Sequence, residues 1–335
     1  MKNLKVSLII ASLLMSFSFM SFAQKEVNKT FEAKEILKVS TVSGDCIIKE
    51  GTTNKIIVNL KYTYSDDCFE YDFKEGDNYL SIKEDFHGRN CKGESEWTIT
   101  IPSNISVKFS SASGDLLLNN VDNNLSASTA SGDIEIKDVG KEVEISTASG
   151  DITLENINGK SDISSASGDI TANDCKNGLN VSSASGNITA KNITGETKIT
   201  AASGNIRLVS AKGEFYVKSA SGNVEAENIE IIEESTFKTA SGDVNVILAK
   251  TPSSDLLLAS ASGNAVLDYD GNEIKGTFKF SARVDKGEII SPIKFDKEEI
   301  IEKHGKDYDL KSFTKNESSP LIKIKTASGK AKLMK

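Results

Sequence analysis

A Ser-Gly-Asp or Ser-Gly-Asn tripeptide returns along this 335-residue chain at a fixed interval, and no other feature limits the fold so tightly. Its serines are Ser113, Ser131, Ser149, Ser167, Ser185, Ser203 and Ser221, each 18 residues after the last. Ser241 follows after 20 residues and Ser262 after 21, with outlying copies at Ser43 and at Ser328, where Lys330 replaces the acid or amide. A constant period in this range is the mark of stacked repeats, in which each unit buries its apolar face only against its neighbours.

Counting from the Asp or Asn of each unit separates inward from outward positions. Offset 1 holds Leu116, Ile134, Ile152, Ile170, Ile188, Ile206 and Val224, and offset 3 holds Leu118, Ile136, Leu154, Ala172, Ala190, Leu208 and Ala226. Offset 6 holds Val121, Val139, Ile157, Cys175, Ile193 and Ala211, and offset 12 holds Ala127, Ile145, Ile163, Val181, Ile199 and Val217. An alanine column follows at offset 15, from Ala130 and Ala148 to Ala220. Offsets 1, 3, 6 and 10, 12, 15 suggest two similar nine-residue half-turns per coil, each a strand of alternating pattern followed by a corner. A triangular hexapeptide helix would need apolar residues at offsets 7 and 13, which are Asn158 and Ser164 in one coil. The expected fold is therefore all-β: a flattened parallel β-solenoid of 18-residue coils with two main sheets.

The corners carry a turn ladder: Gly114 and Asp115, Gly132 and Asp133, Gly150 and Asp151, Gly168 and Asp169, Gly186 and Asn187, Gly204 and Asn205, Gly222 and Asn223, Gly242 and Asp243. Glycine tolerates positive φ there, and Asp or Asn bonds to nearby backbone. Alanine before the Ser-Gly suits a tight bend with no room for a larger side chain. The opposite corner carries Asn158 and Gly159, Asn177 and Gly178, Gly195 and Gly213.

Less regular segments cap the stack. Residues 24–105 read as an N-terminal β cap holding a first coil at Ser43–Asp45 and strands near Ile56–Tyr64, Tyr79–Lys83 and Trp97–Ile101. The repeats proper occupy 106–267, and 268–320 form an insertion with a strand at Gly276–Val284 and a short helix at Asp296–His304. Residues 321–335 return as a terminal coil.

The chain opens on Lys2 and Lys5, an apolar run from Val6 to Phe22, and small residues at Ser21 and Ala23, the pattern of a signal peptide cleaved between Ala23 and Gln24. The expected location is the periplasm or the cell surface. Removing 1–23 takes away Lys2 and Lys5 and no acid, so the net charge moves from −8 to −10. That balance disfavours nucleic acid, which is held through phosphate neutralisation, and no later segment is long and apolar enough to span a membrane.

Several patterns invite chemistry. Asp115, Asp133, Asp151 and Asp169 should stack about 4.8 Å apart, where unit charges repel by roughly 0.9 kcal/mol even in water. Cations could bridge them, but Asn187, Asn205 and Asn223 keep the turn and discard the charge, which favours backbone capping over metal. Hydroxyl columns precede the corner (Thr129, Thr147, Ser165, Ser183, then Ser219 and Thr239 after Ala201) and line a strand (Thr153, Thr171, Thr189). They could meet glycan or ice, although Glu135 and Arg207 interrupt any flat plane, and a solvated sheet face accounts for them. The only histidines, His87 and His304, lie far apart, and no nucleophile has a recognisable base. Lys137 and Glu155 share one outward column as a cross-coil pair. Cys46 and Cys175 fall on inward offsets as core thiols, whereas Cys68 and Cys91 flank a polar insert and form the natural disulfide pair in an oxidising compartment.

Val42–Asp45, then Trp97–Pro102, then the run of Ala-Ser-Gly-Asp/Asn coils resemble the putative-adhesin family of bacterial exported β-strand-repeat proteins, a family of unknown function. The resemblance covers nearly the whole mature chain and implies a β-helix-like fold and an envelope location. It brings no catalytic, cofactor or metal residues. The functional expectation is a non-enzymatic protein that presents repeated polar faces to a glycan or an envelope protein. A carbohydrate-active enzyme on the same scaffold is the alternative, marked by three or more carboxylates converging from adjacent coils.

Overall fold

A computed structural model describes residues 24–88 and 90–335; the segment 1–23 expected as a signal peptide, with the cleavage expected after Ala23, lies outside the described residues. Each regular coil gives one strand to each of two parallel ladders. In sheet A, Ile134 sits opposite Leu116 on one side and Ile152 on the other. In sheet B, Ala127 sits opposite Phe109 and Ile145. Inward side chains of the two sheets meet in one continuous core that runs from Leu37 to Leu333.

The two half-turns are not equivalent, and this corrects one inward column. In sheet A the alternation buries Leu116 and Leu118, then slips by one residue so that Val121 is buried. The slip is made by a residue in the left-handed region: Asn120, Asp138, Asn156, Asp174, Asn192, Ser210 and Asn228 have φ between 55° and 59°. Asn and Asp tolerate that region far better than branched residues do. Sheet B has no such residue, so its alternation continues unbroken through Leu125, Ala127 and Thr129. The inward position is thus the hydroxyl column, not the alanine column. Thr129, Thr147, Ser165, Ser183 and Ser219 are buried. Ala130, Ala148, Ala166, Ala184, Ala202 and Ala220 are exposed.

The ends are interleaved. The first coil, Ile36–Ser40 with Asp45–Glu50, stacks directly on Ser106–Ser111 and Leu116–Val121. Outside it lies a coil from later in the chain, Tyr79–Phe86 and Ser95–Ile101, also parallel. Antiparallel strands then finish both sheets: Lys55–Tyr62 and Lys25–Glu32 in sheet A, Phe69–Glu75 in sheet B. Cys68 and Cys91 are joined by a disulfide in this insert, their Cα atoms 5.8 Å apart.

The far end repeats the device. Leu321–Met334 runs through both sheets beside Leu256–Ser262 and Ala265–Asp268. The earlier strands Gly276–Arg283 and Gly287–Ile290 lie outside it. A hairpin of Lys297–Lys303 and Lys306–Lys315 closes sheet B antiparallel. The helix expected at Asp296–His304 is therefore a strand. Its Lys- and Glu-rich composition suits a helix, but His304 and Gly305 both take positive φ, 53° and 70°, which is the geometry of a two-residue hairpin turn. Among the described residues no helix is long and apolar enough to cross a membrane.

Candidate interaction surface

The corner is built from two ladders. In the first, each glycine packs against the carbonyl of the glycine one coil earlier: a Cβ on Gly132 would lie 2.1 Å from the Gly114 oxygen, and one on Gly150 1.9 Å from that of Gly132. Positive φ is only part of the requirement. Gly168 has φ +114°, and later corners follow it, whereas Gly114, Gly132 and Gly150 lie outside the left-handed region. Close approach excludes a side chain at all of them.

In the second ladder, each Asp or Asn side chain accepts the amide of the next rung. Asp45 receives Asp115 N–H at 3.0 Å, Asp115 receives Asp133 at 2.8 Å, Asp133 receives Asp151 at 2.8 Å, and Asp151 receives Asp169 at 2.7 Å. The series continues through Asp169, Asn187, Asn205, Asn223 and Asp243 to Asn264. Asn264 receives the amide of Lys330 at 2.9 Å. Carboxylate and amide rungs use the same oxygen, so charge is incidental to the bond. Among the described residues no cluster of three His, Cys, Asp or Glu could hold a metal ion.

The buried hydroxyl column serves these corners too. Ser111, Thr129 and Thr147 accept the amides of Gly114, Gly132 and Gly150 at 2.8 to 3.0 Å. From Gly168 onward the corner peptide turns and the hydroxyls become donors. Ser165 and Ser183 bond to the carbonyls of Ser167 and Ser185, while Thr239, Ser260 and Thr326 bond to those of Gly222, Gly242 and Gly263. These hydroxyls cannot meet a ligand.

At the N-terminal end Glu84 stands in register with the hydroxyl column, next after the Lys83 that faces Ser40. It is buried, and its carboxylate accepts the amides of Val42, Ser43 and Gly44 at 2.7, 3.0 and 3.1 Å and the Ser95 hydroxyl at 2.5 Å. No repeat pattern announces this residue, because its coil lacks the Ser-Gly-Asp signature. The left-handed column that begins at Asn120 was also missed, although an Asn or Asp recurs at offset 5 in nearly every coil.

What remains outward is regular. On sheet B, Ser110, Ser128, Ser146, Ser164, Ser182 and Thr200 stand side by side in register, followed by Lys218 and Lys238. On sheet A the corresponding column is Glu135, Thr153, Thr171, Thr189 and Arg207. Lys137 pairs with Glu135 at 2.8 Å and with Glu155 one coil on at 3.6 Å.

Groups able to do acid–base or nucleophilic work are scattered. His87 bonds to Glu70 at 2.5 Å in the N-terminal insert, and that carboxylate raises its pKa above the ordinary histidine value. His304 sits in the hairpin turn at the other end. Glu225, Glu227 and Asp268 line a groove of about 340 Å³ on sheet A. Two of them come from one strand, and Arg207 ties both down at 3.1 and 2.9 Å. Cys46 and Cys175 are free and buried, and burial pushes the Cys175 thiol up to about 12.

The Toastrack DUF4097 family model matches residues 37–212 and 177–286. No curated protein matches the chain. Among solved structures, a putative cell adhesion protein from Clostridium sporogenes ATCC 15579 is 13% identical, with 93% of this chain and 99% of that one covered and a TM-score of 0.25. A putative adhesin from Parabacteroides distasonis ATCC 8503 is 10% identical over 74% of this chain and 90% of that one, with a TM-score of 0.34. A putative adhesin from Bacteroides fragilis NCTC 9343 is 15% identical over 93% and 98%, with a TM-score of 0.24.

Proposed function

This chain belongs to the Toastrack DUF4097 family, and from that premise we propose that it is an exported, non-catalytic interaction protein whose solenoid faces bind a surface glycan or envelope protein by repetition. One observation carries the reading. The corner acids and the buried hydroxyls are consumed by the backbone, while six successive coils present a hydroxyl at the same outward place from Ser110 to Thr200. A single coil offers few polar groups, so each contact is weak and affinity comes from their number. Export is supported by the basic, apolar and small-residue segments that end at Ala23.

The test is a glycan-array and envelope-extract screen of the mature chain, followed by deletion of one internal unit, Asp151 to Gly168. The shortened rod should fold and bind the same ligand with lower avidity. Release of reducing ends from a polysaccharide, abolished by one carboxylate-to-amide change, would instead place the protein among carbohydrate-active enzymes. Mass spectrometry of the exported protein should begin at Gln24, and an intact Met1 in envelope fractions would remove the export reading.

A further inference from the structure

The C-terminal hairpin faces the outer surface of sheet B across a groove that differs from the rest of the rod. Its larger part, about 550 Å³, lies between Ile301, Lys303, Tyr308 and Leu310 of the hairpin and Lys238, Ala259 and Lys325 of the sheet. A second part of about 390 Å³ shares Ser281, Leu310 and Lys325 with the first and adds Lys279 and Lys323. Both volumes lie in the range of small-molecule sites.

The sheet register explains its shape. Lys238 is opposite Ala259, and Ala259 is opposite Lys325, so the two lysines stand on strands about 9.6 Å apart, two strand spacings, with only a methyl side chain between them. Ala240, Ala261 and Ala327 extend the apolar floor. The neighbouring Thr239, Ser260 and Thr326 hydroxyls are bonded to glycine carbonyls, so the floor offers nothing to a neutral sugar.

The charge is one-sided. Among the described residues no carboxylate lies within 4.0 Å of Lys238, Lys303, Lys323 or Lys325, in a chain whose acids outnumber its bases 48 to 40. The acids near the groove are committed elsewhere: Glu299 to Lys297 at 2.7 Å, Asp309 and Glu298 to Lys311 at 3.5 and 2.8 Å. Burial, and then the Lys323, Lys303 and Lys238 charges, lower the pKa of Lys325; burial and Lys218 lower that of Lys238. An anion seated among them would relieve that repulsion.

We propose that this groove binds a carboxylate or phosphate carried on an aliphatic body, the anion lying over Ala259 between Lys238 and Lys325 beneath Lys303, and the body along the alanine floor against Ile301 and Leu310. The groove lies on the outer face of sheet B beyond Thr200, where the outward hydroxyl run ends, so substitutions at Lys238 and Lys325 leave those hydroxyls in place and either reading can fail alone.

The experiment is calorimetric titration of the mature chain with monomeric decanoate and decyl phosphate, beside inorganic phosphate and polygalacturonate. At least one amphiphile should bind saturably at one per chain, with neither phosphate alone nor the acidic polymer matching it. Lys238→Gln with Lys325→Gln should weaken binding by about tenfold or more. Ala259→Phe should also abolish it, because it fills the gap and leaves every charge. Unchanged thermal melting of both variants shows that the fold is intact. Absence of binding by both amphiphiles would overturn the proposal. So would undiminished binding by either variant, or polygalacturonate binding as tight as decyl phosphate.

Discussion

Glu84 accepts the backbone amide of Gly44 at 3.1 Å across the junction between the outermost coil and the first Ser-Gly-Asp corner. The same carboxylate oxygen takes the amides of Val42 and Ser43. Glu84→Ala would leave three amides without a partner, that of Gly44 buried and those of Val42 and Ser43 partly so. A cost of about 2 kcal/mol should follow, because a buried unsatisfied group costs roughly 1–3 kcal/mol and the two partly buried amides add less. Glu84→Gln keeps one acceptor oxygen and should cost less. Chemical denaturation of both variants reads the difference, and wild-type stability for the alanine variant would contradict the capping role.

Two glycines with different backbone conformations should both be intolerant of a side chain. Gly168→Val places a branched residue at φ +114° and a Cβ 2.3 Å from the Gly150 oxygen. Gly150→Ala meets the Gly132 oxygen at 1.9 Å without any left-handed φ. Overpacking of this kind costs about 1–3 kcal/mol, and a strained φ adds a similar amount. Thr171→Val, on an outward strand position that suits branching, should shift the melting temperature little. Equal shifts for Thr171→Val and Gly168→Val would refute the corner assignment.

The acidic ladder should depend on its oxygens rather than its charge. Asp133→Asn keeps the acceptor for Asp151 N–H and removes repulsion from Asp115 and Asp151, so stability should hold or rise slightly. Asp133→Ala removes the acceptor and should lose about 1 kcal/mol. Added salt should stabilise the native chain and leave Asp133→Asn less affected, since screening acts on the repulsion alone. A calcium-dependent melting temperature that disappears in Asp133→Asn would point to metal binding instead.

Thiol chemistry separates the four cysteines. Non-reducing peptide maps should recover Cys68 linked to Cys91. Cys46 and Cys175 should resist alkylation at pH 8 in the folded protein and react after denaturation. Both are buried and burial raises their pKa, to about 12 for Cys175, so almost no thiolate forms. Rapid native labelling of either would displace it from the core.

The stacking, the two sheets and the corner glycines were legible because backbone periodicity writes itself into side chains at every turn. Ile134, Ile136 and Val139 announce sheet A plainly. The error at Ala130 came from treating the half-turns as copies, when one left-handed residue such as Asn120 shifts the phase of sheet A and not of sheet B. The order of the end coils was hidden for a different reason. Tyr79–Phe86 pairs with Ile36–Ser40 through backbone bonds that carry no sequence signature. The lysine groove was equally unreadable, since Lys238, Ala259 and Lys325 become neighbours only through the register of three strands.

The Asp/Asn ladder has a direction: every internal rung gives a side-chain oxygen forward and its own amide backward. Lys330 donates its amide to Asn264 but has no oxygen on its side chain to offer a further rung. At the other end Glu84 fills the place where a preceding hydroxyl would stand. The corner therefore behaves as a zipper with a stop at each end. Both stops lie inside the molecule, with Gly287–Ile290 outside Lys330 and Ser95–Ile101 outside Asp45, so a second molecule that abuts either end meets a capping strand and never an open rung.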